Sequence, residues 1–266
     1  MPDFVTKISP TALRRMARCS AAVALATAGV ALAPAISQGA PVATSPAPVS
    51  GAPAAAGQAI LSNLKTLSRW AYPEAAAAAH QTPSAHSRVV GHLHFLTEDG
   101  QAEVYMALRS DTVGNRSWIQ VTIPGRPNGI TGWVPANALG ELHVVRDYLR
   151  IDRGALRATL FRKGRAIWSA PVGVGRSSLP TPPGHFYVRE KLRAIGGPFY
   201  GPYALGTSAY APTLTEWPGG GVVGIHGTDE PQLIPGRPSH GCIRLRNADI
   251  TRLWQLIQVG TPIDIV

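Results

Sequence analysis

The chain is short of cysteine, of acid and of long apolar runs, and each shortage excludes something. No apolar stretch reaches the roughly 18 to 20 residues of a membrane span, which excludes a polytopic membrane protein. No period of about 20 to 50 residues recurs, which excludes a solenoid. Acid is scarce: Lys and Arg number 25 against 15 Asp and Glu, a formal net charge of +10. Such a balance suits an anionic neighbourhood such as nucleic acid, a membrane or an acidic wall polymer, and the sign alone does not choose among them. Only two cysteines occur among the 266 residues, Cys19 and Cys242. Glycine and proline, by contrast, number 28 and 24, and 45% of the residues are hydrophobic. A chain of this composition can bury a core, and its many turn-formers favour short strands over long helices.

The first forty residues read as an export address. Lys7, Arg14, Arg15 and Arg18 form a basic start, and Ser20 to Ala33 is an unbroken run of small and apolar residues closed by Pro34. Small residues then follow where a signal peptidase cuts. Arg14-Arg15 also fits the twin-arginine form. Cys19 precedes the apolar run, the wrong place for a lipidation cysteine. The expectation is a signal peptide over 1–40 and a protein outside the cytoplasm, secreted or held in the cell wall or periplasm. Membrane contact follows only if that segment stays uncleaved. Removal takes away four basic residues and Asp3, leaving +7. It also leaves Cys242 as a thiol without an intramolecular partner, either a buried passenger or a retained reactive group.

Residues 41–85 read as an Ala/Pro-rich linker, with a short helix possible around Ile60, Leu61, Leu64 and Leu67. From Arg88 apolar and alternating segments between Gly, Asn and Pro turns predict four or five short strands, a small barrel without room for a deep pocket. Its closing stretch, Pro124 to Gly140, resembles the end of a bacterial SH3-like domain over roughly 86–140, with Gly132-Trp133-Val134 supplying a core aromatic. His92 and His94 share a strand face, but without a third ligand they read as surface residues and no metal is expected. A second β-rich unit follows over 143–266. A Gly/Pro/Tyr stretch, Gly196 to Tyr210, could form either a flap over a substrate or a plain surface excursion. Asn247 is placed to cap a helix carrying Ile250, Leu253, Trp254 and Ile257 on one face, and Thr261 to Val266 reads as a closing strand.

Chemistry concentrates in Ser239-His240-Gly241-Cys242-Ile243-Arg244-Leu245-Arg246-Asn247, with a second histidine upstream in Ile225-His226-Gly227. Cysteine attacks as thiolate, and a free thiol is only a few per cent ionised at neutral pH. His226 or His240 can supply a base, and Arg244 and Arg246 a positive field. Gly241 clears the approach of a carbonyl, and the amides of Gly241 and Cys242 are natural donors to an oxyanion. A segment held just ahead of a helix suits a nucleophile that must be fixed in place.

These residues resemble the signature of bacterial L,D-transpeptidases with a YkuD-type catalytic domain, and the likeness extends through Pro180-Thr181-Pro182-Pro183-Gly184 and Tyr200-Gly201-Pro202. The resemblance implies a mainly β catalytic domain, a β-sandwich or barrel with a short C-terminal helix, preceded by the SH3-like barrel. It implies Cys242 as acylated nucleophile and His226 as its proton acceptor and later donor. His240 and Gly241 would line the oxyanion site, while Ser239, Arg244 and Asn247 order the pocket or meet the peptide carboxylate. The partners it implies are peptidoglycan stem peptides, with anionic wall polymers suited to the basic surface. No cofactor is called for. The twelve residues between His226 and Ser239 are fewer than the family commonly has, and Pro-rich, which leaves the loop's shape open. Water as acceptor would make the enzyme a carboxypeptidase. Two rivals are a papain-like wall peptidase and an inert wall-binding protein. Papain-like order puts the cysteine before its histidine, whereas both histidines come first in this sequence. The absence of a basic-aromatic stripe, together with export, argues against nucleic acid.

Overall fold

The chain divides into two units, Met1–Ser50 and Gly51–Val266. The computed structural model describes residues 58–193, 197–215 and 218–266, all within the second unit. The expected signal peptide and the linker as far as residue 57 lie outside the described residues. Among those described, no helix is long and apolar enough to cross a membrane.

Among the described residues of this unit are two antiparallel-rich sheets, one α-helix and short 3-10 turns. The first sheet holds β1 (Ala59–Ile60), β2 (Ser68–Ala71), β3 (Ala78–His80) and β4 (Val89–His92). It continues with β5 (Tyr105–Val113), β6 (Arg116–Thr122), β7 (Thr131–Pro135) and β8 (His143–Val145). Its order is β4-β3-β7-β6-β5-β2-β8, with β1 against β5. Gly114, at φ +59°, and Asn115 form the two-residue turn joining β5 to β6, as their dipeptide predicts. Trp133 on β7 is buried, as expected of the Gly-Trp-Val segment.

The helix expected around Ile60 to Leu67 does not form. The Asn63 side-chain oxygen accepts the amides of Lys65, Thr66 and Leu67, and Leu64 sits at φ +60°. An Asx-type turn thus takes the amide hydrogens that a helix would need. The flanking residues enter the sheet instead, so β1, β2 and β3 occupy the segment read as linker.

The second sheet comprises β9 (Asp147–Asp152), β10 (Arg157–Arg162), β11 (Arg165–Pro171), β12 (Gly173–Gly175) and β13 (Gly184–Arg193). To these are added β14 (Tyr203–Tyr210), β15 (Val222–His226), β16 (Gly236–Ser239), β17 (Ile243–Arg244) and β18 (Pro262–Ile265). The order is β11-β10-β9-β18-β13-β14-β15-β17-β12-β16. Lys163 and Gly164, at φ +49° and +79°, close the β10–β11 hairpin. The helix α1 spans Asn247–Leu256 and buries Ile250 and Leu253 on the predicted face. Residues 262–265 form the expected closing strand, inserted between β9 and β13. Leu149, Ile151, Leu160, Leu205, Ile225, Ile243 and Leu253 meet in one core, each aliphatic side chain stabilising by about 1.5–3 kcal/mol. The Gly/Pro/Tyr stretch is only partly a loop: from Tyr203 it is strand β14, buried almost throughout because Ala, Gly, Thr and Ser let it pack on both faces. Two of its tyrosines pack, Tyr203 on Trp254 and Tyr210 against the Arg126 guanidinium.

The two sheets share a third core. Trp70, Val104, Met106, Val145 and Tyr187 pack together, and the Tyr187 hydroxyl donates to Val104 O at 2.9 Å. Gly260 is required at this seam, since a Cβ there would stand 1.9 Å from Trp70 Cδ1. Buried Arg189 on β13 forks onto Glu103 and reaches Glu98 at 2.9 Å. A desolvated guanidinium of this kind needs both carboxylates; removing one partner costs about 3–5 kcal/mol. The Thr97 hydroxyl donates to Glu190 at 2.6 Å.

Candidate active site

Strand register brings the sulfur and the imidazole to one face. β15 runs parallel to β17 with Ile225 opposite Ile243 and His226 opposite Arg244. Side chains alternate along a strand, so Ile225 and Ile243 enter the core while His226 and Arg244 emerge together on the other side. Cys242, one step before β17, shares their face and lies diagonal to His226. An open cleft is lined by Cys242, His226, Ser239, His240, Gly241 and Arg244, with Phe199, Tyr200, Ala211 and Leu214 among its walls.

His226 is 2% exposed, and its Nδ1 lies 2.6 Å from the carbonyl oxygen of Gly227. A carbonyl carries no proton, so Nδ1–H is the donor and Nε2 keeps its lone pair for the cleft. Burial pushes the imidazole down to about 4, with the Arg244 charge adding to the fall and the Gly227 bond opposing it. The ring is neutral at neutral pH. Tyr200 stands edge-on to it at 4.8 Å between centroids. Composition gave no reason to prefer Tyr200 over the other tyrosines; its place in Tyr200-Gly201-Pro202 was the available signal.

Cys242 is half-buried and reduced. Burial raises its thiol above the ordinary value, while a backbone hydrogen bond from Gly224 and the charge of Arg244 pull the other way. The turn that carries it is tightly tied. The Ser239 hydroxyl accepts Gly241 N at 3.2 Å and donates to Cys242 O at 2.5 Å. Buried Thr181 donates to Gly241 O at 2.7 Å and accepts Gly175 N at 2.9 Å. Thr181 is thus a support for the turn carrying Cys242 that residue chemistry alone did not single out. Gly241 adopts φ +127°, a conformation glycine supplies readily, so backbone geometry requires it more than crowding does. Its amide is already given to Ser239, unlike the free oxyanion donor expected from sequence.

Arg244 is 5% exposed, paired through Nη1 with Glu230 at 3.0 Å and set 4.8 Å over the Phe199 ring. Its Nε has no hydrogen-bond partner among the described residues. Arg246 turns outward and bonds Ile234 O, adding little to the field at sulfur. His240 lines the cleft, and burial, then Arg176 and Arg244, hold its imidazole below the usual value. Asn247 departs from the expected cap. Arg246 precedes the helix, no side chain caps it, and Asn247 Oδ1 instead accepts Thr228 N at 2.9 Å. That oxygen fills the space that a Cβ on Gly201 or Gly227 would need, each 2.3 Å away, and so braces the turn behind His226. Among the described residues no group of three or more His, Cys, Asp or Glu could hold a metal.

A family model for the L,D-transpeptidase catalytic domain of YkuD type matches residues 146–265. Bacillus subtilis YkuD, an L,D-transpeptidase by name, is 31% identical over 145 residues, 54% of this chain and 73% of the relative. Bacillus subtilis YqjB, named in the same way, is 32% identical over 48% of this chain and 77% of the relative. Among solved structures, the catalytic domain of the Enterococcus faecium L,D-transpeptidase is 23% identical, covering 45% of this chain and 95% of that one at a TM-score of 0.35. With most of two such relatives covered and the catalytic-domain model matching the whole second sheet, the chain belongs to the L,D-transpeptidase family of YkuD type.

Proposed function

We propose that the protein works outside the cytoplasm as a peptidoglycan L,D-transpeptidase through a thioester on Cys242. The observation that carries this reading is the β15–β17 register, which sets sulfur and imidazole on one face of one cleft. His226 Nε2 takes the thiol proton as Sγ attacks the carbonyl of the third stem residue, a diamino acid. The Sγ–C bond forms, the C–N bond to terminal D-alanine breaks, and His226 returns the proton to the departing amine. An amine from a neighbouring stem then opens the thioester and closes the cross-link, whereas water would yield a carboxypeptidase product. Because Gly241 N–H serves Ser239, the oxyanion is assigned to the Cys242 amide with His240 at the cleft edge. Arg244, held by Glu230 and Phe199, supplies positive charge for a carboxylate, and Ser239 and Asn247 act by bracing their turns.

The basic, then apolar N-terminus supports export, and a net +7 after its removal suits acidic wall polymers as neighbours. The antiparallel run β5–β6–β7 with buried Trp133 supports an SH3-like reading of the first sheet. The test is release of D-alanine from a stem tetrapeptide, with intact-protein mass after a carbapenem. Wild type should release D-alanine and gain one carbapenem adduct, and Cys242→Ala should do neither while keeping its circular dichroism spectrum. Turnover by the alanine variant would end the proposal.

A further inference from the structure

Arg126 lies in the β6–β7 turn of the first sheet, yet all its hydrogen bonds here are to the second. Nε donates to Ala211 O at 2.8 Å, and Nη2 donates to Leu214 O at 3.1 Å and Gly220 O at 2.9 Å. The guanidinium also sits 5.0 Å from the Tyr210 ring centroid. Two residues on, the Asn128 side chain accepts Tyr210 N at 2.9 Å and donates to Tyr210 O at 2.8 Å, behaving as a strand partner would. Three carbonyl oxygens from the connection between β14 and β15 therefore converge on one permanently charged fork.

The gripped residues belong to the cleft. Ala211, Leu214 and Gly221 line it beside Cys242 and His226. Ala211 N donates to Gly221 O at 2.8 Å, closing the base of the connection. Gly221, at φ +83°, has no room for a side chain: a Cβ would stand 2.0 Å from Leu214 O and 2.3 Å from Arg126 Nη2. On the other side the wall approaches the nucleophile turn, since a Cβ on Gly241 would be 3.8 Å from Ala211 Cβ. A neutral-to-neutral bond contributes about 1 kcal/mol and one to a charged group about 1.5–3 kcal/mol, so the three bonds from the guanidinium are the stronger part of this grip.

We propose that Arg126 and Asn128 position the cleft wall made by Ala211, Leu214 and Gly221, so that the first sheet is a working part of the donor-peptide site. This rests on the cleft being the acyl-donor site proposed above. Arg126 touches no reacting atom; it is a positioning residue. The peptide donor feels it through the width and rigidity of the wall that Ala211 and Leu214 present.

The test compares full-length wild type with Arg126→Ala, Arg126→Lys and Asn128→Ala. Hydrogen exchange at the Ala211 amide should quicken by about tenfold or more in Arg126→Ala, with Leu160 in β10 unchanged. KM for a stem tetrapeptide should rise roughly tenfold, kcat changing less than about threefold, and lysine, which keeps charge without the fork, should recover only part of the loss. Asn128→Ala should move both readouts in the same direction by less. A purely structural role would lower the fraction of protein that a carbapenem acylates and leave KM in place. An unchanged KM or unchanged exchange at Ala211 overturns the proposal. Should wild type release no D-alanine, the transpeptidase reading fails by itself. The grip is then read from the rate ratio for Cys242 alkylation by a bulky maleimide and by iodoacetamide, and a ratio that Arg126→Ala leaves unmoved overturns it.

Discussion

The protonation state of the resting pair makes the sharpest prediction. Two arrangements activate a cysteine: a standing thiolate–imidazolium pair, or a neutral pair in which the proton moves as the bond forms. His226 lies at about 4 and burial raises the Cys242 thiol above its ordinary value. Taking even an unperturbed thiol near 8.5, moving the proton from sulfur to His226 costs about 6 kcal/mol, fewer than roughly one molecule in ten thousand. The resting pair is therefore neutral. Alkylation of Cys242 by iodoacetamide, which needs free thiolate, should climb about tenfold per pH unit between pH 5 and 8 without a plateau. Carbapenem acylation, in which His226 takes the proton during attack, should behave differently. It should switch on as the imidazole loses its proton near pH 4 and stay level from about pH 5 to 8. His226→Ala should slow acylation by roughly a hundredfold or more while changing alkylation little. Both rates can be followed by intact-protein mass. An alkylation plateau beginning near pH 5 would mean a standing ion pair and would refute the reasoning.

Two other perturbations follow from the supports around the site. Thr181→Val leaves Gly241 O and Gly175 N unpaired in a buried place, which should cost about 2–4 kcal/mol and slow acylation about tenfold, with Thr181→Ser close to wild type; urea titration and acylation rates check both. Glu190, raised to about 7 by burial and then by Asp99, binds its proton more tightly folded than unfolded. Stability from this group is therefore full at low pH and lost as pH rises from the ordinary carboxyl range through 7. Tm should fall between pH 5 and 8 in wild type and fall less in Glu190→Gln, whereas equal slopes would show that this carboxyl does not set the pH dependence.

How much of this was legible beforehand depended on the range of the interaction. Local rules worked: Gly114-Asn115 and Lys163-Gly164 turn as such dipeptides do, and Ile250 and Leu253 face the core as their spacing requires. The candidate site was legible by chemistry, because Cys242 stands after glycine and near two histidines. Where local signals competed, the outcome turned on hydrogen bonds that spacing does not encode. Leu61, Leu64 and Leu67 have near-helical spacing, but Asn63 supplies an acceptor that wins the same amides for a turn. Asn247 has the chemistry of a cap, but the amide of Thr228 claims its oxygen from 19 residues away.

Contacts that reach far along the chain left no trace in any window of sequence. Arg126 meets Ala211 across 85 residues, Arg189 meets Glu103 across 86, and Thr97 meets Glu190 across 93. Each side chain read singly is a polar residue in or near a turn or strand, and such residues are ordinarily solvated. What distinguishes them is that both sheets bury them together: Arg189, Glu103, Thr97 and Glu190 are all nearly inaccessible. A buried charge persists only where its partners are fixed, so this seam fixes the sheets as firmly as their apolar core does. Reading the first sheet as a separate module was reasonable from composition, because modules are recognised by their own strands. Through Arg126 and Asn128 the same sheet also bonds the β14–β15 connection, whose Ala211 and Leu214 line the cleft.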